Sequence, residues 1–195
     1  MLRPHPDRNQ RTRVTSPRAG GAPFSPRCHS WLVEVVLSRS ADRRAVEVFL
    51  ASHNALHVAR RGELVDSLDQ PALLAKQGGE LVGVATYVIG GGECELLTLH
   101  ARRQFLGTGT ALLNAVRDVA QRAACTRLRV VTTNDNLDAL RFYQRRGFRL
   151  AEVRPGAVTR SRQALKPAIP TTGAYGIDLR DEVELEMDLR QAAEG

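Results

Sequence analysis

Residues 96–116 constrain this chain more than any other stretch. A short apolar strand, Leu96-Leu97-Thr98-Leu99, passes through a basic patch into Gln104-Phe105-Leu106-Gly107-Thr108-Gly109. A helix opens there and continues through Thr110 to Val116. Two glycines at a strand-to-helix junction let another group come close to the backbone. The first helical turn leaves N–H groups without intrahelical acceptors. Together these make an anion site, most naturally for a phosphate.

Two familiar phosphate loops do not fit. A P-loop needs a lysine after its glycines, and none follows Gly109. A dinucleotide loop needs a third glycine where Leu112 stands. The pattern that fits is Gln/Arg-x-x-Gly-x-Gly/Ala after a strand. A second block follows after one helix and one strand: Asn136-Leu137-Asp138-Ala139-Leu140-Arg141-Phe142-Tyr143-Gln144-Arg145-Arg146-Gly147-Phe148. It reads Asn-x-x-Ala-x-x-Phe-Tyr-x-x-x-Gly-Phe. The two blocks in this order resemble the cofactor site of the GNAT superfamily of N-acetyltransferases. The resemblance covers roughly residues 33–189 and is most specific between Glu93 and Phe148.

The resemblance implies a fold and a chemistry. The fold is α/β (α+β): a mixed, mostly antiparallel sheet with two splayed parallel central strands and helices on both faces. The chemistry is transfer of an acetyl group from acetyl-CoA, as co-substrate, to a primary amine by direct attack. The pantetheine arm would pair with the strand edge at Leu97 and Leu99, where an N–H would polarise the acetyl carbonyl. The pyrophosphate would rest on Gln104, Leu106, Gly107, Thr108, Gly109 and Thr110. Asn136 would contact the pantetheine arm, or simply cap its helix. Tyr143 matches the family's general acid; a free phenol has a pKa of about 10 and a thiol about 8.5. Glu93 and Glu95 are the expected bases, placed by strand alternation on one face with Leu97 and Leu99. His100 is a weaker base candidate, and Cys94 reads as a small core residue. The alternative is an inactive acyl-CoA-binding module of the same fold.

Charge narrows the partners. The chain carries +7 over 195 residues. Residues 1–30 hold six arginines and one aspartate, so +5 of that total sits in this segment. The other 165 residues are near neutral at +2. That weakens any argument from net charge to a nucleic-acid surface. The segment also holds five prolines and an adjacent glycine pair, so it reads as a disordered basic extension ahead of one domain, 31–195. It matches an organelle transit peptide superficially, but the prolines oppose the amphipathic helix such a peptide needs. Three scattered cysteines suggest neither a disulfide framework nor a metal site, and a reducing cytoplasm is the expected compartment. The expected partner is a small-molecule or protein amine, with no membrane and no specific nucleic acid. A homodimer is one assembly open to the chain.

Hydrophobic spacing gives the elements. Residues 31–37 read as a first strand. Ser40 caps a helix over 41–54 with Val46, Phe49 and Leu50 on one face. Residues 57–69 have no clear pattern beyond a turn at Arg60-Arg61-Gly62. Strands are expected at 72–76, 81–89, 93–99 and 128–132, with a final pair at 149–153 and 182–189. A helix follows Gly109, and another runs from Asn136 to Arg146, closed by Gly147 with Phe148 folding back. The stretch between the last two strands reads as a long insert.

Overall fold

The computed structural model describes residues 33–103 and 106–190. The basic extension, Trp31, Gln104 and Phe105 lie outside the described residues. Seven strands form one sheet: β1 (Glu34–Leu37), β4 (Ala72–Gln77), β5 (Glu80–Gly90), β6 (Glu93–Ala101), β7 (Arg127–Thr133), β9 (Glu182–Asp188) and β8 (Arg149–Arg154), in that spatial order. Only β6 and β7 pair in parallel; the other neighbours are antiparallel. A separate hairpin, β2 (His57–Arg60) and β3 (Glu63–Asp66), accounts for the stretch that shows no clear pattern in sequence. Its two-residue turn places Arg61 at φ 50° and Gly62 at φ 78°, as a primed hairpin turn requires.

Helices cover both faces. On one, α2 (Thr108–Arg122) and α3 (Leu137–Gln144) enclose the larger core with Leu96, Leu112, Val116, Leu128, Tyr143 and Leu185. On the other, α1 (Arg43–Ser52) packs Val46, Phe49 and Leu50 against Leu74 and Val84. The mixed sheet with a central parallel pair is the architecture the motifs imply. One local expectation is corrected. Ser40 does not cap α1: a 3₁₀ turn at Ser40–Asp42 leads in, and Asp42 accepts the Arg39 N–H at 3.0 Å. The long insert between the last two strands contains α4 (Ala157–Ala164).

The central strands supply the feature that positions a site. β6 pairs with β7 only from Glu93↔Arg127 to Leu96↔Val130, although both strands run on. Beyond Leu96 they diverge. The register of β6 against β5 also slips there, from Tyr87↔Leu96 to Thr86↔Thr98, leaving Leu97 as a bulge. The Thr98 hydroxyl takes up the slack, bonding the Thr86 hydroxyl at 2.7 Å and accepting its N–H at 3.3 Å.

Candidate active site

The bulge changes which residues share a face. Cys94, Leu96 and Leu99 belong to the core under α2, whereas His100 touches His53 of the α1 side. Glu93 and Glu95 lie opposite Cys94 and Leu96, so they face α1. Strand alternation therefore fails at Leu97: Leu99 is not on the glutamates' face, because the extra residue reverses the pleat.

The α2 N-terminus lies next to the diverging end. Gly107 takes φ 85°, a left-handed value that an ordinary side chain strains, and precedes the helix as its cap. The first helical bond runs from Ala111 N–H to the Gly107 carbonyl at 2.9 Å. The N–H groups of Thr108, Gly109 and Thr110 come before it. Gly109 serves packing: a Cβ there would sit 3.5 Å from the Phe142 ring, not in the loop. Gly83 of β5 is a third glycine the fold needs. A Cβ there would come within 2.8 Å of Thr108 Cγ2 and 3.0 Å of the His100 carbonyl.

The second block meets this turn. Asn136 caps α3, its side chain accepting the Ala139 N–H at 3.2 Å. Gly147 (φ 89°) closes the following turn, with Phe148 N–H to Tyr143 O at 3.2 Å and Gly147 N–H to Gln144 O at 3.1 Å. Tyr143 is buried edge-on between Phe142 and Phe148, and burial pushes its phenol well above the usual value. Arg146 reaches back to α2: Nη2 donates to Thr110 Oγ1 at 2.6 Å, and the guanidinium lies 3.7 Å from the Phe142 ring centroid. Its buried Nε has no partner among the described residues, and desolvation lowers its pKa.

Residues 44–148 match the model of the acetyltransferase (GNAT) family. The chain belongs to this family. The Bacillus subtilis protein YdhI is 44% identical over 118 residues, which span 60% of this chain and 72% of YdhI. An IAA acetyltransferase from Bacillus cereus superimposes with a TM-score of 0.61 at 22% identity, covering 80% of this chain and 99% of that one. A GNAT family acetyltransferase from Elizabethkingia anophelis, solved with acetyl-CoA bound, gives a TM-score of 0.59 at 17% identity over 80% and 97% of the two chains.

Within this GNAT chain both expected bases are engaged by arginines. Glu93 meets Arg129 at 2.6 Å and Arg127 at 4.0 Å. Glu95 meets Arg60 at 2.7 Å and Arg61 at 3.3 Å. Cys94 is fully buried, and burial pushes its thiol up to about 12, in keeping with a core role. Sequence reading missed Arg146, which occupies an unspecified position of the second motif. It also missed Glu182 and Glu184 of β9, both buried, whose carboxylates hold Arg61 and Arg154. The every-other-residue run Glu182, Glu184, Glu186 was the available signal for one charged strand face.

Proposed function

We propose that this protein transfers the acetyl group of acetyl-CoA to an amine. The observation that carries the reading is the divergence of β6 from β7 after Leu96, beside a glycine-capped helix N-terminus. The residues present fit the co-substrate. The turn from Leu106 to Thr110 supplies N–H groups for the pyrophosphate, with the Arg146 guanidinium beside it. The β6 edge at Leu97 and Leu99 offers backbone groups to the pantetheine amides, and Asn136 a side-chain contact. Acetyl-CoA supplies a thioester whose acyl group an amine can take directly. The acetyl-CoA bound to the Elizabethkingia enzyme of the same fold supports this assignment.

The chain's own groups move the protons. An N–H of the Leu97–Leu99 edge polarises the carbonyl. Glu93 and Glu95, both on the α1 face, are the bases that would take the amine proton through water, each from within its arginine pair. The amine nitrogen bonds the acetyl carbon, the carbon–sulfur bond breaks, and Tyr143 donates to the sulfur. Burial keeps the Tyr143 phenol protonated, but it also makes full transfer to a thiolate harder than a free phenol would find it. Donation is therefore strongest as a hydrogen bond to the developing charge.

Thiol release from acetyl-CoA over an amine panel tests the reading. Release that needs both protein and amine is expected. Cofactor binding with no release over any amine would favour the inactive binding module.

A further inference from the structure

The face opposite α2 and α3 carries a second feature. A cleft of about 370 Å³ opens between the β2–β3 turn, β8 and α4, its lining including Arg61, Gly62, Arg154, Ala157, Arg160 and Ser161. Three guanidinium groups form its walls, and none of its lining residues is acidic. The carboxylates lie behind them. Glu182 and Glu184 are 2% and 5% exposed at the side chain. Glu182 accepts the Arg61 N–H at 3.1 Å and so fixes the strained turn that presents Arg61. Arg61 spans from Glu95 of β6 to Glu184 of β9, at 3.3 Å each. Even so, Nε and Nη2 of Arg61 and Nη1 of Arg154 are buried without an aligned acceptor. Arg160 donates only to the Pro155 carbonyl, at 3.1 Å, and meets no carboxylate among the described residues. The cleft thus holds more donors than acceptors.

Register places this cleft relative to the reaction. Arg154 pairs with Glu182, and Glu182 pairs with Thr133, so these three form one row across β8, β9 and β7. Thr133 ends β7, where it has already parted from β6. The row therefore lies at the open end of the sheet. The phosphates belong to the α2 face, so an amine has the α1 face from which to approach. From β7, which borders the gap, to Arg154 on β8 is two strand spacings, about 10 Å.

We infer that the cleft binds an anionic group of the acceptor: the substrate is an amine that carries a carboxylate or phosphate about 10 Å away. Arg61 and Arg154 are held by the glutamates beneath them, and Arg160 supplies the uncompensated charge. Guanidinium groups suit both anions through paired N–H donors. This inference rests on the proposed acetyl transfer for its link to catalysis, but the cleft's affinity for anions does not.

Two measurements separate those claims. The first is calorimetric titration of the unmodified protein with glutarate, phenyl phosphate and the uncharged glutaramide. Binding of at least one anion and not of the amide is expected. Arg160→Glu, an exposed helical position outside the ion-pair network, should weaken that binding roughly tenfold or more, the scale of a hydrogen bond to a charged group. Arg146→Gln should leave it intact, which separates the cleft from the phosphate turn. The relative strength of glutarate and phenyl phosphate identifies the preferred anion. No binding, equal binding of the amide, or equal binding by Arg160→Glu overturns the inference. The second measurement compares thiol release with 7-aminoheptanoate, 6-aminohexyl phosphate and uncharged alkylamines. Arg160→Glu should raise KM for the anionic amines and leave kcat and the uncharged amines unchanged. Equal KM changes for both sets would detach the cleft from the acceptor. No release from any amine, with anion binding intact, would remove the acetyl-transfer reading and leave the anion site standing.

Discussion

At the residue scale, the site is built from groups whose environments differ from what their types alone suggest. Tyr143 sits in an apolar cage, so its ring is structural whatever its hydroxyl does. Tyr143→Phe keeps the ring and removes the proton. It should lower kcat roughly 10²-fold, within the range of general acid catalysis, with CoA affinity nearly unchanged in a calorimetric titration. Normal turnover would assign the proton to water. Arg146 is the opposite case, a cation at the positive end of α2 with a buried, unpartnered Nε. Such a placement is unfavourable until an anion arrives. Arg146→Gln should weaken CoA binding about tenfold without lowering the melting temperature; unchanged affinity would leave Arg146 as a packing partner of Phe142. Tyr143 could be singled out as a candidate because it stands in a fixed motif. Arg146 could not, since its role depends on the distance between two helices that sequence spacing does not give.

At the scale of elements, three helices end in the same way. After α1, α2 and α3 the chain turns left-handed at Asn54 (φ 53°), Ala124 (φ 55°) and Gly147 (φ 89°). In each the following N–H bonds a carbonyl five residues back: Ala55 to Leu50, Cys125 to Ala120, Phe148 to Tyr143. Glycine and asparagine adopt this conformation readily, whereas Ala124 holds it against steric strain. Ala124→Gly should therefore raise stability by about 0.5–1 kcal/mol, measured by urea unfolding. A decrease would mean that the Ala124 side chain packs usefully. The third turn was readable from Gly147-Phe148, and the second was hidden by an alanine. The β6 bulge was hidden for a related reason: alternation assumes an uninterrupted pleat, and no residue type at Leu97 announces the extra position. The β2–β3 hairpin was missed because its strands are half-exposed and lack alternation. Arg61-Gly62 fixes its turn only with Glu182, 121 residues away, accepting the Arg61 N–H.

At the scale of the whole molecule, the sheet separates two chemical environments. One face buries the apolar core beneath α2 and α3; the other combines the smaller α1 core with the ion-pair network of β6, β7, β8 and β9. No helix among the described residues is long and apolar enough to cross a membrane. The order of elements and the mixed sheet could be read from two motifs and a set of turns, whereas the network could not, because its charges come from five separate segments: the β2–β3 hairpin, β6, β7, β8 and β9. His100 lies near the junction of the two environments, past the bulge and against His53, with ring centroids 4.9 Å apart. Burial, and next the neighbouring imidazole, lowers its pKa from 6.5 to about 4. The folded protein thus keeps His100 neutral where the unfolded chain would protonate it. The unfolded state binds the extra proton between about pH 6.5 and 4, so stability must fall as pH drops through that window and be complete above it. The loss from this one residue is roughly 3 kcal/mol at the acid end. His100→Gln removes the titrating group while keeping a polar side chain of similar reach. Its unfolding free energy should vary less between pH 7 and pH 4 than that of the unmodified protein. Equal slopes for the two proteins would show that other groups, the network carboxylates among them, govern acid sensitivity.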